Sequence, residues 1–226
     1  MISTRDLTGL PDVSSLRRLL QSLAMLDAIL SPDWQYRYYS FNCHWAFGEE
    51  WGSMRNGSGD EFYALFNQHG CFLKGFAHEA LMTPCRDNPP KLWPGLFSNV
   101  PPEFSECLNE PAFDIASTTF CIWRYHDGRE WQLDDLKFPA GNDPDGSGDL
   151  LSILDGTPET YCVWAEEYYQ EAWNDTSGLT RDAVAAVYRH QPLSNELVSA
   201  INSNLRLEDL ADDLRDIGYP NQKKPA

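Results

Sequence analysis

Apolar residues change their spacing twice along this chain, and those changes narrow the fold more than any other feature. Leu16, Leu19, Leu20, Leu23, Leu26 and Leu30 recur at steps of three and four, the spacing of one helix face. A helix is predicted from Ser15 to Leu30, capped by Ser14 or Ser15 and stopped by Pro32, with Asp27 off the stripe and facing solvent. The pattern then turns aromatic and short. Tyr36–Phe41 fits a strand, and Phe62–Phe66 and Cys71–Phe76 flank Asn67-Gln68-His69-Gly70 as a hairpin would. Arg55–Asp60 reads as a turn-rich loop, and a second hairpin is expected where Thr118–Tyr125 and Glu130–Leu133 flank Asp127-Gly128. Helical spacing returns after Thr157-Pro158, where Tyr161, Trp164, Ala165, Tyr168 and Ala172 share a face until Asp175–Gly178. Three further helices are expected: Asp182–Arg189 capped by Thr180, a run with Leu197, Val198, Ile201 and Leu205 capped by Ser194, and a stripe from Leu207 to Ile217 ending at Gly218.

Seven prolines between Pro84 and Pro111 exclude any long regular element there, leaving room for one short helix at Pro102–Leu108. The fold class that follows is α+β, a mostly antiparallel sheet flanked by an N-terminal helix and a C-terminal helical region. The expected organisation is an α+β core domain over 1–176, a helical extension over 177–217 packed on it, and a flexible tail over 218–226. A chain of 226 residues buries roughly 70% of its unfolded surface, enough for a core without disulfides or metals. No stretch approaches the ~18 consecutive apolar residues of a membrane-spanning helix. The start, Met1–Asp6, lacks the apolar run of a secretory signal, so a cytoplasmic location is expected. Six cysteines (Cys43, Cys71, Cys85, Cys107, Cys121 and Cys162) form no Cys-x-x-Cys pair, and reduced thiols are expected.

Charge is the feature that bears on function. The chain carries 17 basic and 34 acidic side chains, and residues 112–176 alone hold three of the former and fourteen of the latter. Such a field repels nucleic acid and anionic membranes and steers basic partners; its plainest use is solubility.

Catalytic and metal signatures fail on inspection. Asp143-x-Asp145-x-Ser147-Gly148 matches the start of an EF-hand loop, but Pro144 is foreign to it and Leu154 stands where a bidentate Glu belongs. On that reading the loop is structural, with Asp149 capping a turn over Leu150–Leu154. His78-Glu79 is followed by Met82, not by the second His of a zinc helix, and His126-Asp127 sits where a turn needs its Asp. Cys71 and Cys85 lie near His69 and His78 in sequence, which establishes no nucleophile–base couple. Gly57-Ser58-Gly59 and Gly146-Ser147-Gly148 are not nucleophile elbows, and neither a phosphate-binding lysine loop nor a dinucleotide fingerprint occurs. Arg55–Gly59 as an anion nest is outweighed by its reading as a flexible turn. No cofactor or metal site is expected.

Val100-Pro101-Pro102-Glu103-Phe104 leading into Leu108, and Asp145-Gly146-Ser147 followed by Leu150-Leu151 and by Pro158-Glu159-Thr160-Tyr161 to Trp164-Ala165, are loosely similar to other sequences. They resemble uncharacterised bacterial immunity-type proteins of polymorphic-toxin systems, including the broad SUKH superfamily, over about a quarter of the chain. The resemblance implies a cytosolic protein that neutralises a toxin by binding it. The expectation is therefore a non-enzymatic, acidic protein-binding module for a basic partner, with its oligomeric state open. Carboxylates would supply steering: Asp127, Asp134, Asp135, Asp143, Asp145 and Asp149 before the long helix, and Glu166, Glu167 and Glu171 on it. Trp131 would be an aromatic anchor among them. The alternative is a hydrolase whose carboxylate or Cys/His site is assembled only in the fold.

Overall fold

The computed structural model describes residues 2–173 and 179–221, with side chains described as far as Tyr169 and again from Leu179. The expected turn at Asp175–Gly178, the boundary at 176/177, the side chains of Glu171 and Ala172, and tail residues 222–226 lie outside the described residues.

The α+β class holds. Helix α1 (Val13–Leu30) precedes five antiparallel strands in sequential order: β1 (Tyr39–Ala46), β2 (Glu49–Arg55), β3 (Glu61–Phe66), β4 (Gly70–Phe76) and β5 (Phe120–Tyr125). Then come α2 (Ser147–Leu151), α3 (Pro158–Trp173), α4 (Arg181–Tyr188), α5 (Asn195–Ile201) and α6 (Ala211–Ile217). Thr180 and Ser194 cap α4 and α5 as expected, and Gly218 ends α6 in the left-handed conformation.

Alternation along the strands sends side chains to two different layers. Phe41, Met54, Phe62, Ala64, Leu73 and Ile122 join the leucines of α1 and the apolar faces of α3–α6 in the main core. Trp51, Leu65, Phe72, Cys121 and Trp123 point the other way, onto Phe104, Cys107 and Phe113. The proline-rich segment thus has a structural task, covering the second face of the sheet. It does so in 3₁₀ turns, of which Pro102–Asn109 is the short helix expected there.

Four local expectations need correction. Helix α1 starts two residues early because the carboxylate of Asp12 accepts the Ser15 N–H at 2.9 Å, displacing Ser14 and Ser15 as caps. Strand β2 had no sequence prediction, and β1 begins three residues later than expected, after a turn at Trp34–Tyr36. The second hairpin shrinks to one bridge, Trp123 with Gln132. Asp27 is not at the surface but fully buried, its Oδ2 accepting the N–H groups of Tyr38 and Tyr39 (both 2.8 Å) and its Oδ1 the Tyr161 hydroxyl at 3.0 Å.

The calcium-like loop holds the chain to itself. Asp143 accepts the N–H groups of Gly148 (3.0 Å) and Asp149 (3.1 Å), so Asp143, not Asp149, serves the helix start. Asp145 accepts the Thr4 hydroxyl (2.5 Å) and the Ser147 N–H and hydroxyl (3.1 and 2.7 Å), tying the N-terminus to α2. Gly146 between them has φ 74°, and a Cβ there would lie 2.2 Å from that of Ala77.

Candidate partner-binding surface

One end of the sheet gathers the β1–β2 turn, the β3–β4 turn, the end of β5 and the Pro102–Asn109 turn of 3₁₀ helix. The first turn is only Phe47-Gly48, and Gly48 takes the positive φ (77°) that so tight a reversal requires. Phe47 is pushed outward and is fully exposed. In the 3₁₀ helix, side chains three apart eclipse each other. Phe104 and Cys107 are buried, so Glu103 and Glu106 share an outward face.

A cleft of about 390 Å³ lies between these elements, lined by Phe47, Glu49, Gln68, His69, Glu103 and Glu106 among others, and by no Lys or Arg. Among the described residues, Glu49, Glu103, Glu106 and Glu110 make no ion pair. Burial, with Glu110 and Glu106 nearby, pushes the Glu49 carboxyl above its ordinary pKa. The Tyr125 phenol is also raised, by burial, by its 3.1 Å hydrogen bond to Glu103 and by Asp127. Three carboxylates, Glu49, Glu103 and Glu106, therefore line the same cleft as the projecting Phe47 ring, and none of them makes an ion pair among the described residues.

Of the sequence-predicted acids, Asp127 is the one at this end, exposed in the turn after β5. Asp135, Asp149, Glu166 and Glu167 are exposed but spread over a loop, α2 and α3; Asp143 is half-buried in its capping role. Glu171 lies in α3 with its side chain outside the described residues. Three assignments are corrected, because a group spent inside the fold cannot meet a partner. Asp134 is buried and accepts the N–H and side-chain amide of Asn99, both at 2.8 Å. Asp145 is buried in the loop described above. Trp131 is buried, and its indole N–H donates to the Pro11 carbonyl at 2.7 Å.

Phe47, Glu49, Glu103, Glu106 and Glu110 were not singled out from sequence. The available signal was the three-residue step from Glu103 to Glu106 beside that from Phe104 to Cys107, which is visible only if a 3₁₀ period is assumed.

The groups a hydrolase would use are arranged differently. His78 Nδ1 lies 2.7 Å from Asp60 Oδ1, which raises the imidazole pKa and holds the ring against the Asn56–Asp60 loop. Burial pushes the thiols of Cys71, Cys107 and Cys121 upward, away from the thiolate form a nucleophile needs. Among the described residues, no group of three or more His, Cys, Asp or Glu side chains is placed to hold a metal ion. No helix there is long and apolar enough to cross a membrane. No protein-family model, curated protein or solved structure matches this chain. Fold and surface together describe an acidic α+β protein that presents an exposed aromatic residue beside three glutamates.

Proposed function

We propose that this protein is a non-enzymatic binding module that captures a basic protein partner at the acidic end of its sheet, as an immunity protein captures a toxin. The observation that carries this reading is Phe47, a fully exposed aromatic side chain bordered by Glu49, Glu103 and Glu106 with no Lys or Arg among the cleft's lining residues. Aromatic anchors within a charged rim are how protein interfaces divide affinity from steering. Unpaired acids held together gain from a basic partner what the fold itself does not supply. The resemblance to immunity-type proteins points the same way, and Glu103 lies in one of the stretches that carry it. The particular partner is a proposal of class only: a protein with a basic, concave face, sited with this chain in the cytoplasm.

The test is affinity capture from the native source at low and high salt, run in parallel with wild type and Phe47→Ala. A stoichiometric basic protein retained by wild type, shed as salt rises and lost from Phe47→Ala, is the expected result. A basic protein held equally by both forms would remove the site, and no salt-sensitive partner in either would remove the reading.

A further inference from the structure

The second face of the sheet is not covered along its whole width. The layer of Phe104, Cys107 and Phe113 reaches β2 at Trp51, whose ring lies 4.8 Å from that of Phe113, and beyond it a groove of about 430 Å³ opens between that layer, β1 and α6. Its walls are aromatic. Trp45 and Trp51 stack at 4.6 Å with 20° between their planes, and Trp34, 55% exposed, stands at the rim. Its floor is polar: Ser40 and Ser53 face each other across the β1–β2 pair, with Asn42 one step further along. Among the described residues the two hydroxyls have no hydrogen-bond partner. The Asn42 oxygen is taken by the His44 N–H at 2.8 Å, leaving the amide NH₂ to donate.

Two arginines and two aspartates line the groove, so its charges balance in number, but Arg55 stands apart from both acids' ion pairs. Asp213 is engaged by Arg37, and Asp216 by Arg215 at 3.0 Å. Arg55 has no carboxylate partner among the described residues, and its guanidinium lies 4.6 Å from the centre of the Trp34 ring. In a chain with twice as many acids as bases, an arginine left unpaired near two free hydroxyls, those of Ser53 and Ser40, is the chemistry of an oxyanion site.

We propose that this groove is a second binding site, distinct from the acidic end, for a small organic anion with a flat apolar body. The body lies between Trp34 and the Trp45–Trp51 stack. The carboxylate or phosphate group meets Arg55, with the hydroxyls of Ser53, two residues along the strand, and of Ser40 opposite it donating to its oxygens. A cationic ligand is disfavoured, because Arg55 already occupies the face of Trp34. The volume lies within the range of small-molecule sites and suits a bicyclic body.

Isothermal titration of the full chain with naphthalene-2-carboxylate, 2-naphthyl phosphate and the neutral naphthalene-2-carboxamide tests this. The expected result is one saturable site that prefers at least one anion over the amide by about ten-fold or more. Arg55→Gln should abolish that preference, and Trp34→Ala should weaken all probes alike. Comparing the two anions assigns the site to carboxylates or to phosphates. Circular-dichroism melts that match wild type establish that both variants fold. No saturable binding of either anion, or a preference that survives Arg55→Gln, would overturn the proposal, and neither result bears on Phe47.

Discussion

Asp27 joins three parts of the fold through one carboxylate: α1 carries it, the start of β1 donates two N–H groups, and α3 donates the Tyr161 hydroxyl. Burial raises its pKa from 3.8 to about 6, against the opposing pull of those donors. Between about pH 4 and pH 6 the folded group keeps a proton that the unfolded chain has released. Unfolding therefore releases that proton, and Asp27's contribution to stability falls as pH rises through this window. A two-unit shift corresponds to roughly 3 kcal/mol. Asp27→Asn keeps the shape: its oxygen accepts the two N–H groups and its NH₂ meets the Tyr161 oxygen. The stability of wild type minus that of Asp27→Asn, from urea unfolding at pH 4.5 to 7.5, should accordingly decline with pH. A difference that is flat or rises would show that the donors, not burial, set this pKa. Periodicity could not reveal the residue's position, since it records which side chains avoid water. It is silent about a polar one whose partners lie on other elements, the Tyr161 hydroxyl 134 residues away among them.

Among the elements, helices α1 and α3–α6 and the β3–β4 hairpin were legible because their signals are local: apolar steps of three and four, N-cap residues, and a turn ending in Gly70, whereas α2 lies where a polar loop was expected. Strand β2 was not. Its two faces carry Trp51, Ser53 and Arg55 against Gly52 and Met54, a pattern that makes sense only once α1 is known to lie over Gly52. A Cβ on Gly52 would come 2.8 Å from Leu20 Cδ1, so the glycine marks a close helix–sheet approach that no local rule encodes. Gly75 does the same between β4 and β5, where a Cβ would sit 2.2 Å from the ring of fully buried Phe120. Because that ring packs in the main core, Gly75→Ala should cost about 1–3 kcal/mol in urea unfolding. A loss below roughly 0.5 kcal/mol would mean that the ring has a second place to go.

For the whole molecule, the excess of acid was plain from composition, but its useful location was not. The segment richest in acid, 112–176, spends Asp134 and Asp145 inside the fold and spreads most of its remaining described acids over separate elements. The acidic end is assembled mainly from residues 47–110, where the sequence is less acidic but the chain folds back on itself. Net charge and local charge therefore make different predictions about association. Glu103→Gln/Glu106→Gln and Glu166→Gln/Glu167→Gln each remove two exposed carboxylates, so they change the overall field by the same charge. If capture occurs at the acidic end, only the first pair should slow association with the captured basic partner, by several-fold at low salt, and flatten the dependence of the rate on ionic strength. Dissociation should change less, because rim charges act mainly on encounter while Phe47 acts on the bound state. Stopped-flow association at 20 to 300 mM salt separates the two cases. Equal slowing by both pairs would mean that the molecule steers by its total charge and that the carboxylates beside Phe47 have no special part in recognition.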